Sequence, residues 1–255
     1  MNGLALHSKF IPYGGTFLIF SDYCKPSIRL SALMQQRVIY VMTHDSIGLG
    51  EDGPTHQPVE HLAALRAIPG FAVIRPADAN EVSVCWGRII TDAKPVGLAL
   101  SRQNLPVIDR SKFTNAQAAA KGAYILAYGD DSEPNKCDVI LIATGSEVSL
   151  ALAARDVLLG EKIKAQVVSA PSIEWFMEQP ESYRNEVLPK GIRARVSIEA
   201  GVAQPWYQFI GDSGVAVSLE HFGASATASV LFKEFGFTIE KIVSAAKESI
   251  KKANG

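Results

Sequence analysis

The densest collection of chemically capable side chains lies in 43–61, THDSIGLGEDGPTHQPVEH, which holds three of the five histidines with Asp45, Glu51, Asp52 and Glu60. It follows the run VIYVMT directly. That run reads as a strand, and in an open α/β sheet the carboxyl ends of strands form the crevice where ligands bind. Arg102 closes a second apolar run, VGLALS, so it emerges at the same sheet edge as His44. A guanidinium beside an imidazole suits a phosphate monoester, because arginine presents a planar fork of donors. Phe17, Phe20 and Tyr23 recur at a spacing of three around the end of the first strand pattern. Such a series is either core packing or a pocket wall for a flat heterocycle, which aromatic faces stack against.

Other patterns invite chemistry and are better explained without it. Gly48, Gly50 and Gly53 spell G-x-G-x-x-G, but that fingerprint needs a helix opening at once under a pyrophosphate. Here Glu51 and Asp52 would repel the anion, and Pro54 and Pro58 delay the helix. His44, His56 and His61 could supply metal ligands, yet no H-E-x-x-H pattern occurs, so no metal is expected. Arg75 is read as structural, with Asp78 capping the helix that follows. Thr144 and Glu147 have the spacing of a capping box. Glu199 and His221 have no evident partner and are assigned no chemistry.

The elements that must position these residues alternate in kind. Strand patterns fall at Thr16–Phe20, Val38–Thr43, Phe71–Arg75, Val96–Leu100, Val139–Ala143, Ala165–Ser169, Ala194–Glu199 and Val215–Ser218. Helical patterns lie between them, at Pro58–Ala67, Asn80–Thr91 and Glu147–Gly160. Near-continuous apolar strands separated by helices predict parallel sheets covered on both faces. The fold class is therefore α/β with two doubly wound, mostly parallel sheets. A polar stretch, QNLPVIDRSKFTN at 103–115, divides the chain into units of 1–112 and 113–255. The first unit opens on the helix-like MNGLALHS with no strand before it, so it is expected to be incomplete at its N-terminus. The loop Gly129–Lys136 gives hairpin character to Gly122–Ala127 with Cys137–Ala143.

Composition narrows the function classes. Of 255 residues 47% are hydrophobic and 20% charged, with a formal charge of −1. That is globular composition with no basic excess, so nucleic acid is not an expected partner. No apolar run approaches the roughly 20 residues that span a bilayer, and the N-terminus lacks a signal-peptide pattern. Cys24, Cys85 and Cys137 are few and far apart, as in a reducing compartment. A cytoplasmic protein without membrane partners is expected.

At THDSIGLGEDGPTHQP the sequence resembles the transketolase signature. RPADANE (75–81), LSRQNLP (100–106), ATGSEVSLAL (143–152), RVSIEAG (195–201) and HFGASA (221–226) resemble companion motifs in the family's order. The resemblance covers essentially the whole chain. It implies the latter part of a pyrimidine-binding domain followed by the family's C-terminal domain. The implied reaction is thiamine-diphosphate-dependent transfer of a two-carbon ketol unit from a ketose phosphate to an aldose phosphate, in the pentose phosphate pathway. By resemblance, Phe20, Phe17 and Tyr23 surround the cofactor's aminopyrimidine ring, with Phe20 closest. His44 and Arg102 match the pair that grips the substrate phosphate. Asp52 matches the carboxylate that bonds the C2 hydroxyl, and His56 a histidine near the substrate's first carbons and the reacting cofactor.

The family's catalytic glutamate lies in a G-V-R-E-H-like motif just upstream of M-N-G, and this sequence opens at Met1-Asn2-Gly3. The resemblance therefore implies that this glutamate and the domain holding the diphosphate and Mg²⁺ lie outside these residues. The chain alone is expected to be inactive and not to retain thiamine diphosphate. A homodimer, or assembly with the missing cofactor-domain segment, is expected. The alternatives are a non-catalytic sugar-phosphate-binding or dimerisation module and the small subunit of a split transketolase. A deoxyxylulose phosphate synthase or keto-acid dehydrogenase β chain ranks last, because those lack the signature in this form.

Overall fold

The computed structural model describes residues 1–130 and 136–255. The first sheet contains β1 (Tyr13–Phe17), β2 (Ile39–Thr43), β3 (Ala72–Ile74) and β4 (Val96–Ala99). Its order is β1-β2-β4-β3 and every pairing is parallel. The second sheet contains β5 (Tyr124–Ala127), β6 (Val139–Ala143), β7 (Ala165–Ser169), β8 (Arg195–Ile198) and β9 (Val215–Val217), in the order β5-β7-β6-β8-β9. Only β5 runs antiparallel to its neighbour. Both sheets carry helices, as expected where parallel strands are buried on two faces.

Three local expectations need correction. The first strand is Tyr13–Phe17, and Leu18–Phe20 form a single 3₁₀ turn. The glycine pair in YGGTF has poor strand propensity, yet register with Ile39–Thr43 holds it in the sheet, so tertiary pairing outweighs propensity. The expected hairpin does not form, because β5 pairs with β7. β6 already has β7 and β8 as parallel partners on its two sides. Most of the intervening loop, 131–135, lies outside the described residues. Third, the helix expected at Pro58–Ala67 is shorter, His61–Arg66. The helices Ala79–Thr91 and Glu147–Gly160 fall where expected, and Asp78 does cap the former by accepting from the Glu81 amide.

The two sheets share one core. Ile39, Ile74 and Leu98 belong to the same buried cluster as Leu141, Val167 and Val196. Buried polar groups cross the same boundary. Glu81 accepts from the Tyr124 hydroxyl and the Ser169 hydroxyl, at 2.7 Å each. Arg110 donates to Asp78 at 3.1 Å and to the Tyr124 hydroxyl at 2.7 Å, which tethers the irregular 103–115 segment to both units. Glu199 also has a partner: Arg66 makes two parallel 2.8 Å contacts with its carboxylate, and Trp206 Nε1 donates to it at 3.0 Å. Among the described residues no helix is long and apolar enough to cross a membrane.

Candidate active site

The carboxyl ends of β1, β2 and β4 lie side by side, and the chemically capable residues emerge there. Phe17 ends β1 in register with Thr43, the last residue of β2. His44 follows at once with φ +59°, in the left-handed region that few non-glycine residues occupy. This turn lays its imidazole flat on Phe17, with ring centroids 3.5 Å apart and planes 17° apart. Phe20 stacks on the same ring at 5.8 Å. His56 meets both phenylalanines edge-on, at 6.5 Å and 5.7 Å. Tyr23 reaches only Phe20, at 6.1 Å, and is 85% exposed, so it forms the rim of the cluster. The aromatic spacing of three thus makes a partly open stack at the sheet edge, not a buried stripe.

The loop after β2 is shaped by its glycines. Ser46 accepts from the Gly48 amide and starts a 3₁₀ turn over Ile47–Leu49. Gly50 and Gly53 then take φ of +89° and +82°, conformations glycine adopts without steric cost. The next α-helix begins only at His61, so these glycines do not lead into a helix N-terminus of the kind a pyrophosphate needs. Gln57 ties the loop to the second unit, its side-chain amide donating to Gly50 O at 2.8 Å and to Ala224 O at 2.9 Å.

Between this loop and the end of β4 lies a cleft of about 410 Å³, lined by His44, Asp52, Arg102, Gln103, Thr227 and Ala228 among others. Three expected site residues therefore share one cavity with cationic, anionic and imidazole functions. Gln103, Thr227 and Ala228 were missed from sequence. Gln103 adjoins Arg102 in LSRQNLP, and Thr227 follows HFGASA, so both stood beside recognised motifs. Burial, with the Arg102 charge next, lowers the His44 pKa from its ordinary value. Both causes favour the neutral imidazole, beside a permanent cation. Each histidine spends Nδ1 on a neighbouring threonine hydroxyl, His44 on Thr43 at 2.9 Å and His56 on Thr55 at 3.0 Å. That leaves each Nε2 for a ligand.

His61 is not part of this site. It pairs with Asp22 at 3.0 Å and lies 3.7 Å from Glu60, and among the described residues that trio is the one group with metal-ligand spacing. His44, His56 and His61 do not gather into a metal cluster. Arg75 is structural, as expected, but its partners were not legible. Its wholly buried guanidinium donates to Asp45 at 2.7 Å, to Thr144 O at 2.9 Å and to Glu147. This overturns the capping box: Thr144 donates to Arg75 O, and the Glu147 carboxylate is turned to Arg75. A wholly buried guanidinium must be paired, and Glu147, itself wholly buried, is the anion within reach.

The family profile for the transketolase pyrimidine-binding domain matches residues 1–107, and that for the transketolase-like C-terminal domain matches 122–238. The chain belongs to the transketolase family. Transketolase of Mycobacterium leprae is 54% identical over 251 residues, which is 97% of this chain and 36% of that protein. This family member therefore spans a little over a third of the length of the relatives it matches. A Pichia stipitis transketolase complexed with sedoheptulose 7-phosphate superimposes with a TM-score of 0.91 at 44% identity, covering 98% of this chain and 36% of that one. A split-gene transketolase described as an inactive β4 tetramer covers 98% of this chain and 79% of its own, with a TM-score of 0.75. At 23% identity that likeness bears on the fold alone. The two mostly parallel sheets are those of the transketolase structures.

Proposed function

We propose that this chain forms one wall of a transketolase active site, at which a two-carbon ketol unit passes from a ketose phosphate to an aldose phosphate. The observation that carries this reading is the juxtaposition at one sheet edge of the Phe17–Phe20–His44–His56 ring cluster and the cleft holding His44, Asp52 and Arg102. The partly open phenylalanine faces fit a flat heteroaromatic ring such as the aminopyrimidine of thiamine diphosphate. When bound, that cofactor supplies the electron sink that lets the bond beside the ketose carbonyl break.

The chain's own residues bind and orient. Phe17 and Phe20 present the stacking face, and Tyr23 closes its rim. Arg102 offers a fork of donors to the sugar phosphate, with neutral His44 bonding beside it through Nε2. Asp52 accepts from the C2 hydroxyl. His56 hydrogen-bonds near the first carbons, and its Nε2 is the chain's best-placed group for moving a proton there. In this reading 1–112 is part of the pyrimidine-binding domain and 113–255 the C-terminal domain. The proposal extends to a cytoplasmic protein that assembles with a second copy and with the part that holds the diphosphate and Mg²⁺.

The test is complementation. Alone, the 255-residue chain is expected to show no ketol transfer and no retention of thiamine diphosphate. Mixed with a polypeptide supplying the diphosphate-binding part of a transketolase, it should transfer ketol from fructose 6-phosphate, and His44→Ala or Arg102→Ala should raise KM. Turnover by the chain alone, or complemented activity indifferent to both substitutions, overturns the reading.

A further inference from the structure

His44 links two anchored segments. Before it, β2 is fixed in the sheet: Met42 O accepts from the Leu100 amide at 2.8 Å, and Thr43 is in register with Phe17. After it, Asp45 is buried and accepts from Arg75 Nε at 2.7 Å. The φ of +59° at His44 lies between these two anchors. A left-handed conformation at a non-glycine residue persists only where its surroundings enforce it. The turn also lays the imidazole on Phe17 and into the cleft.

The anchor on the Asp45 side is itself held by the second sheet. The Arg75 amide donates to Pro171 O at 2.7 Å, and its carbonyl accepts from the Gly145 amide at 3.1 Å and the Thr144 hydroxyl at 3.0 Å. Its guanidinium donates to both oxygens of Glu147, which is wholly buried. Gly145 has φ +57°, and a Cβ there would lie 2.6 Å from Arg75 Cζ, so the guanidinium packs directly against the backbone where any side chain at 145 would stand. Asp45, Arg75 and Glu147 thus form a dry chain of charges from the long helix of the second unit to the residue after His44.

We propose that Arg75 and Glu147 are positioning residues for the cleft, acting through Asp45 to fix the backbone turn that seats His44 on Phe17. The second unit thereby shapes a sugar-phosphate site from behind, beyond the Thr227 and Ala228 that line it. The substrate arm of the inference rests on the phosphate role proposed for His44 and Arg102. Its conformational arm does not.

Two measurements on Glu147→Gln and Arg75→Lys test it, with Glu174→Gln as control. Glu174 is another carboxylate between the units, accepting from the Val73 amide and the Ser172 hydroxyl, but with no tie to Asp45. In the 255-residue chain, NMR should show the His44 ring signals moved in both test variants and unmoved in the control, at a temperature where all are folded. In the complemented assay, KM for fructose 6-phosphate should rise roughly tenfold in the test variants with kcat changed less, as expected for a misplaced binding group. A purely structural role would lower the melting temperature of all three without moving His44. Unmoved His44 signals in folded Glu147→Gln and Arg75→Lys overturn the inference. Moved signals, together with an Arg102→Ala KM equal to wild type, sustain the positioning role and remove the phosphate reading.

Discussion

The imidazole of His44 lies on the ring of Phe17 at a centroid distance of 3.5 Å, and the two residues sit at the ends of adjacent parallel strands. One ring belongs to the stacking surface and the other to the polar cleft, so the contact joins the two halves of the proposed site. An aromatic contact of this kind is worth about 1 kcal/mol beyond the area it buries. Phe17→Ala should lower stability by at least that amount. The ring protons of His44, shielded by Phe17 in the wild type, should shift downfield. An NMR spectrum with unmoved His44 ring protons would show that the stack is not formed in solution.

Arg102 adds to burial in setting the charge of His44. Burial first, then the guanidinium, hold the imidazole pKa below its ordinary value. A base whose folded-state pKa is depressed opposes folding once it is protonated. The contribution of His44 is therefore lost as pH falls from the ordinary histidine value, about 6.5, toward its lower folded one. Arg102→Ala removes one cause and leaves burial. The NMR titration midpoint of His44 should rise toward the ordinary value, and a midpoint that falls or stays put refutes the assignment.

Arg66 and Glu199 come from different units and are both nearly dry. Burial pushes the Glu199 carboxyl up, but Arg66, backed by Arg75 and Trp206, brings it below the usual carboxylate range. Its stabilising contribution is present above the ordinary carboxylate pKa and is lost as pH falls through the lower folded value. Arg66→Met leaves that carboxylate buried without its cation, at a cost of about 3–5 kcal/mol. Chemical denaturation should show this deficit at pH 7 and a smaller one once the pH falls through the lowered folded value, where Glu199 of the wild type takes up a proton. A deficit that grows on acidification contradicts the pairing.

Gln57 is the clamp between the units at the cleft. Gln57→Ala removes the side-chain donor to both carbonyls, leaving Gly50 O with the Gly53 amide and the exposed Ala224 O to water, and a lost hydrogen bond costs about 0.5–1.5 kcal/mol. Thermal unfolding should register a loss in that range. Hydrogen exchange should rise locally over 48–57, and exchange unchanged there would mean that the glycine turns alone hold the loop.

Much of the architecture was legible because its causes are local. Runs such as VILIA at 139–143 and AQVVS at 165–169 are apolar enough to be strands wherever they pack. A residue just beyond the end of a parallel strand emerges at its carboxyl edge, which places His44 and Arg102 at one edge from the sequence alone. The Thr43–His61 motif and its companions likewise marked the family from their residues alone.

The tertiary structure decided what depends on distant partners. Whether Phe17, Phe20 and Tyr23 are core or surface turns on the chain folding around them. β5 passes over β6 to pair with β7 because strand pairing is a competition among all the edges in a sheet. Arg66 finds Glu199 across 133 positions and Arg75 finds Glu147 across 72. Neither pair has a local signature, because a buried charge is compensated by whatever the packed sheets bring within reach. That same requirement drew Glu147 away from the helix cap its spacing suggested. Periodicity and strand ends wrote the elements and their edges into the sequence, whereas the charge pairs between the sheets exist only once the two are packed on one core.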